Sequence, residues 1–195
     1  MSKRILVVLV AAAAAAIVAA PAGHAALVCS GSLQPFAQFG DNNHYFAFAN
    51  NGFEGGANGW KLANAAVGSG NEPWFVNGAG SSSLSVSPGG SASSPKVCTA
   101  LNAPGWRMFA HSNGANGPLT AQIVFYGLLG NITGILNVAT FKPSGYGSWE
   151  PSADVPSILS LPLLTYAAQL RLTSTATSGT WQVDDVFVDP FGMQG

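Results

Sequence analysis

The chain has 195 residues and almost no net charge, with seven Lys and Arg against eight Asp and Glu, a formal charge of −1. Its charges are sparse and nowhere clustered, which excludes a basic nucleic-acid footprint and an acidic disordered tail. Five Trp, eleven Phe and four Tyr exclude intrinsic disorder, and the 24 glycines beside them suit many strands joined by turns.

Lys3 and Arg4 precede an unbroken apolar stretch from Ile5 to Ala20, and the small residues of Pro21-Ala-Gly-His-Ala25 follow. This is the layout of a cleaved secretory signal peptide over 1–25, with the cut after Ala25 or Ala26. An uncleaved anchor needs a longer span. Lipidation at Cys29 would want a small residue where Val28 stands. The expected product is a secreted, extracellular protein whose residues 26–195 form one domain and act as a monomer, with the membrane met only through the signal peptide. Cys29 and Cys98 are the two cysteines. In an exported chain they are expected to pair, closing a loop of about 70 residues worth roughly 4 kcal/mol on the chain-entropy model.

Strand candidates then follow one another. They are Tyr45 to Phe48, Trp60 to Val67, Pro73 to Val76, Ser82 to Ser87, Lys96 to Leu101, Trp106 to His111, Leu119 to Tyr126, Ile132 to Phe141, Tyr166 to Thr173 and Trp181 to Asp189. The alternation is clearest in two of them. Ser82 to Ser87 alternates serine with apolar residues. Tyr166 to Thr173 puts Ala168, Leu170 and Leu172 on one face and Gln169, Arg171 and Thr173 on the other. Asn-Gly pairs at 51–52, 58–59, 77–78, 113–114 and 116–117 mark tight turns. Pro156 and Pro162 break any long helix over Ala153 to Leu164, leaving a short helical turn or an extended loop there. About nine or ten short strands without a long helix predict an all-β, two-sheet antiparallel sandwich of jelly-roll type.

In the last strand, Trp181-Gln-Val-Asp-Asp-Val-Phe-Val188, strict alternation turns one acid inward, on the face of Trp181, Val183 and Phe187. That acid is Asp185, and a carboxylate there needs a partner. Amides to cap, Lys61 or Arg171 are the plain possibilities. Asn51-Gly-Phe-Glu-Gly-Gly, followed by Gly59-Trp60, is the other informative stretch. Together with the Asp-Asp-Val strand it resembles the jelly-roll carbohydrate-binding modules of bacterial cellulases and xylanases, of galactose-binding-like sandwich type. The chain is also similar to short exported actinobacterial proteins that share its Cys-Ser-Gly opening and its Asp-Asp-Val-Phe-Val-Asp-Pro close, a likeness that implies no function. The first resemblance implies a structural calcium ion where the opening turn meets the final strand, with Glu54 and Asp185 as carboxylate ligands.

It also implies exposed rings that stack on sugars. The candidate ligand-binding residues are Trp74, Trp106, Tyr146 and Trp149, while Trp60 and Trp181 are expected in the core. Catalysis is not expected. His44 and His111 stand without a nucleophile motif, and Glu72 and Glu150 lie far apart in the sequence. The function that follows is a secreted non-catalytic module that binds cell-wall or environmental polysaccharide. The alternative is a structural or protein-interaction sandwich of the cell envelope without sugar affinity.

Overall fold

The computed structural model describes residues 33–98, 105–153, 155–156 and 165–189. The expected signal peptide, Cys29 and the segment from 157 to 164 lie outside the described residues, and with Cys29 the expected bridge to Cys98. Eleven strands occur: β1 (Phe46–Ala47), β2 (Lys61–Ser69), β3 (Ser82–Ser93), β4 (Val97–Cys98), β5 (Gly105–Asn113), β6 (Leu119–Gly127), β7 (Ile132–Phe141), β8 (Glu150–Pro151), β9 (Val155–Pro156), β10 (Thr165–Ser174) and β11 (Thr180–Asp189). All strand pairs are antiparallel, as the alternating sequence predicts.

Hydrogen bonding runs continuously through β7-β6-β10-β3-β11-β5-β8, yet the strands form two layers, because β3 and its partner β2 serve both. Residues 91–93 of β3 pair with β10, whereas residues 84–86 pair with β11. Layer one is therefore the first part of β2, the last part of β3, β10, β6 and β7. Layer two is the rest of β2 and β3 with β11, β5, β8 and β9.

The bend between the layers has a definite cause. The β2–β3 register shifts between Ala63 and Ala65, and the residue left over, Asn64, takes a φ of 47°. Its side-chain amide donates to the Pro88 carbonyl at 2.8 Å. Opposite it lies Gly90, where a Cβ would meet the Asn64 carbonyl oxygen at 2.2 Å and that of Ser87 at 2.9 Å. Only glycine lets the two backbones cross this closely.

Between the layers lies the core. Leu84, Val86, Trp106, Met108, Trp181, Val183, Val186 and Val188 of layer two face Leu119, Ile123, Phe125, Leu170 and Leu172 of layer one. A second, smaller cluster of Phe36, Tyr45, Phe109 and Phe187 sits on the outer face of layer two, covered by Phe39, Trp74, Val76 and Trp149. Arg107 extends over the Phe36 ring and forms an ion pair with Asp41 there.

One expected strand is absent. Residues 73–79 form turns, because the buried Glu72 carboxylate accepts hydrogen bonds from the amides of Trp74 and Val76, curling the chain around itself.

Replacing Gly90 with Ala is expected to cost about 1–3 kcal/mol in urea unfolding, the range for forcing atoms into a packed site. Gly68→Ala in β2, where a Cβ meets nothing within 4 Å, should leave the midpoint unchanged.

Candidate functional site

The outer face of layer one carries an open groove of about 730 Å³. It is built by strand register. Arg171 of β10 stands opposite Ser93 of β3 and Gln122 of β6. Ser93 in turn pairs with Lys61 of β2, and Gln122 with Asn137 of β7. One straight row, Lys61–Ser93–Arg171–Gln122–Asn137, thus crosses five strands. Because alternate residues share a face, the next row is Ala63, Ser91, Thr173 and Thr120, continued by Thr140 across a bulge that shifts the β6–β7 register between Ala121 and Gln122. At about 4.8 Å between neighbouring strands, each row runs about 19 Å.

The side chains of the rows donate and accept hydrogen bonds, and none of the groove's lining residues is aromatic. Gln122 Nε2 donates to Asn137 Oδ1 at 2.8 Å. This bond uses neither the Gln122 carbonyl oxygen nor the Asn137 N–H groups, which keep their capacity to accept and donate. The chemistry suits a ligand rich in hydroxyl groups lying across the strands.

The acidic corner lies on layer two. The sequence predicts that only one of the paired acids faces inward, yet Asp184 is 0% and Asp185 4% exposed. The reason is a bulge: the β11–β5 register shifts between Asp184 and Phe187, and Asp185 takes a φ of 47°. The same shift breaks the expected shared face. Trp181, Val183, Val186 and Val188 point into the main core, while Phe187 joins the outer cluster.

Asp184 accepts hydrogen bonds from the amides of Glu72 at 3.1 Å and Asp185 at 2.9 Å. Burial, with the neighbouring charge of Asp185 added, pushes the Asp184 carboxyl up to about 8. Burial and the nearby Glu72 push Asp185 up to about 7, against hydrogen bonds from Asn77. Gly52 closes the corner, since a Cβ there would come within 2.7 Å of Asp185 Oδ1. The Val186 amide donates to the Asn51 carbonyl. The opening turn does meet the final strand, as the resemblance implies.

The other expected ligand, Glu54, is engaged by a different turn. Glu54 is exposed, and its Oε1 accepts the amides of Ser81 and Ser82 at 2.8 Å each. These amide bonds hold its pKa below the usual carboxylate range. The carboxyl group beside Asp185 is that of Glu72 instead, a residue that sequence reasoning placed in an aromatic loop. Hard oxygen donors suit calcium. As arranged, no three or more His, Cys, Asp or Glu side chains among the described residues could hold a metal ion.

The predicted sugar-binding rings are scattered. Trp106 is 2% exposed and stacks on Phe48 at 5.1 Å inside the core. Strand alternation turns it inward with Met108, so it presents no face to a sugar. Tyr146 is half-buried, packed edge-on against Phe141 and Trp181. Trp74 and Trp149 are half-buried and cover the same outer cluster of layer two. Trp74 packs on Phe39 and Phe109, and Trp149 on His111. None of the four lines the groove.

No protein-family model matches the chain, and no curated protein is similar to it at significance. Solved structures do resemble the fold. The CBM22-1 xylan-binding domain from Paenibacillus barcinonensis Xyn10C superposes with a TM-score of 0.50 at 14% identity, over 71% of this chain and 90% of that one. The family 11 carbohydrate-binding module of the Clostridium thermocellum cellulosomal cellulase Lic26A-Cel5E gives 0.51 at 15% identity, over 76% and 95%. The enzymatically active domain of bacteriophage CBA120 tailspike protein 4 gives 0.51 at 15% identity, and there 73% of this chain spans only 21% of the other. The shared property is the fold, the jelly-roll sandwich of carbohydrate-binding modules.

The acidic corner gives a pH dependence of definite sign. Both aspartates have folded pKa values raised above their unfolded values. The folded state therefore holds more protons, and stability falls as pH rises. In the presence of a chelator, the melting midpoint is expected to decline steadily between pH 5 and 8. A midpoint that rises over this window would contradict the protonated corner.

Proposed function

We propose that this chain is a secreted, non-catalytic module that binds a polysaccharide along the outer face of layer one. The observation that carries the proposal is the pair of polar rows that cross five strands. A chain of sugars presents hydroxyl groups at repeating intervals. Two parallel rows of amides, hydroxyls and cations, with Gln122 and Asn137 already held by their mutual bond, answer that pattern at low ordering cost. The fold supports the reading, since it is shared with a domain described as xylan-binding and with a cellulase's carbohydrate-binding module. Export is supported by the Lys3–Ala25 sequence pattern. The non-catalytic part is supported by the acids. Glu72 and the two aspartates are buried and held by backbone amides, so they are not poised for general acid–base work on a substrate.

The outer face of layer two is a second possible binding surface, because Trp74 and Trp149 present half-exposed rings beside His111 and Gln182, whose side chains bond at 3.0 Å. A calcium ion where the opening turn meets β11 also belongs to the proposal, with Asp185 as a carboxylate ligand and backbone carbonyls of the glycine-rich turn completing its oxygen set. It would neutralise buried charge and pin the loop at 51–54 to β11.

Electrophoresis through gels containing xylan, β-glucan or galactan tests the site. The wild type should be retarded by at least one polymer. The double variant Gln122→Ala/Asn137→Ala should lose retardation without a change in melting, and Trp149→Ala should keep it. Loss with Trp149→Ala alone would move the site to layer two. No retardation by any glycan would leave the structural reading of the sandwich.

For calcium, a midpoint at pH 8 about 5–10 °C higher in calcium than in chelator is expected at a hundredfold excess over Kd. An unchanged midpoint would remove the ion.

A further inference from the structure

We propose that the groove takes an acidic polysaccharide whose uronate carboxylates are held by Lys61 and Arg171. This rests on the glycan-binding reading and names the class of glycan. The observation is how the chain distributes its few charges. The sequence as a whole is slightly acidic, yet the groove is lined by Lys61 and Arg171 and by no carboxylate. A third cation, Lys96, lies on the same outer face, its Nζ 3.6 Å from the centre of the Tyr126 ring. Tyr126 in turn donates to Gln169, two residues before Arg171 on β10.

Five of the eight acids are employed elsewhere. Glu54 caps Ser81 and Ser82, Glu72 caps Trp74 and Val76, and Asp184 and Asp185 fill the corner of layer two. Asp41 pairs with Arg107, the one ion pair among the described residues. Among the described residues, neither Lys61 nor Arg171 forms an ion pair.

Their positions suit a ligand that supplies a counter-charge. Both stand in register with Ser93, so their Cα atoms are two strand spacings apart, about 9.6 Å. Two cations rooted on one face, on the strands either side of β3, repel one another, and an anion between them relieves the repulsion. Arg171 offers a planar fork for a carboxylate, and Lys61 a mobile point charge that reaches the same group or the next one along. Ser93 lies between them, and Gln122 and Asn137 continue the row. A carboxylate would then sit at one end of the row and uncharged hydroxyl groups along the rest, which is the make-up of a uronate-bearing polysaccharide. A neutral glycan would leave the cations unanswered.

Calorimetric titration of the full chain with polygalacturonate, and with the same polymer after carboxyl reduction, separates charge from shape. The uronate polymer is expected to bind about tenfold more tightly than its reduced form, the worth of one charge-assisted hydrogen bond. Arg171→Gln and Lys61→Gln should each erase most of that difference. Lys142→Gln, at an exposed site outside the groove, should change nothing. The preference should also shrink in about 0.5 M salt, where charges are screened over a few ångströms. Equal binding of both polymers, unmoved by the two variants, would overturn the acidic class while leaving the glycan reading standing. Equal or tighter binding of dextran sulfate or single-stranded DNA would overturn carboxylate recognition in favour of general polyanion binding. Binding of no polymer would overturn the glycan reading itself.

Discussion

The crossing of Asn64 over Gly90 sets the shape of the whole molecule. At this point β2 and β3 leave one layer and enter the other, and a single hydrogen-bonded sheet becomes a sandwich. On one side of the crossing, β3 delivers Ser91 and Ser93 to the outer face of layer one. On the other, it delivers Leu84 and Val86 to the core beside β11. The polar rows depend on β3 pairing in register with β10 over Ser91 to Ser93 before it crosses. A side chain at residue 90 would separate the backbones and spoil both the layer packing and the floor of the groove.

The charges divide their labour across this architecture. Carboxylates are used as structural parts: Glu54 and Glu72 satisfy backbone amides in turns, and Asp184 ties the Glu72 loop to the final strand by accepting the Glu72 amide. Buried acids of this kind are tolerated only with partners, and the raised pKa values of Asp184 and Asp185 show how strained that accommodation is. The cations Lys61 and Arg171 are left to the groove, free of such duties. A chain with so few charges thereby keeps its acids for holding loops and its available cations for the open face.

Much of this could be read from the sequence where the signal was local. The alternation of β10 put Arg171 and Thr173 on one face and Leu170 and Leu172 on the other, as found. The antiparallel sandwich followed from strand spacing, and the meeting of the opening turn with β11 was what the resemblance carried by the two end stretches implied. What failed was non-local. The bulge at Asp185 depends on pairing with β5, so strict alternation missed the burial of Asp184 and misassigned Phe187. Glu72 stands beside Asp185, unannounced by any local pattern, because its own loop curls around its carboxylate. Trp106 reads as a possible surface ring only until its strand acquires a buried face. The groove was invisible for the same reason. Its rows are assembled from five strands whose mutual register no local pattern states, and its Ser, Thr, Gln and Asn look unremarkable one at a time. The polar face of β10 was the one visible trace of it.

The central claim is that a glycan lies across the rows of layer one. Titrating isotope-labelled protein with a bound oligosaccharide, and following backbone and side-chain amide shifts by NMR, locates the ligand directly. The account predicts the largest shifts at the side-chain amides of Gln122 and Asn137 and along Ser91, Ser93, Arg171 and Thr173, with the indoles of Trp74 and Trp149 unmoved. Shifts confined to Trp74, Trp149 and His111, with the rows of layer one silent, would contradict it.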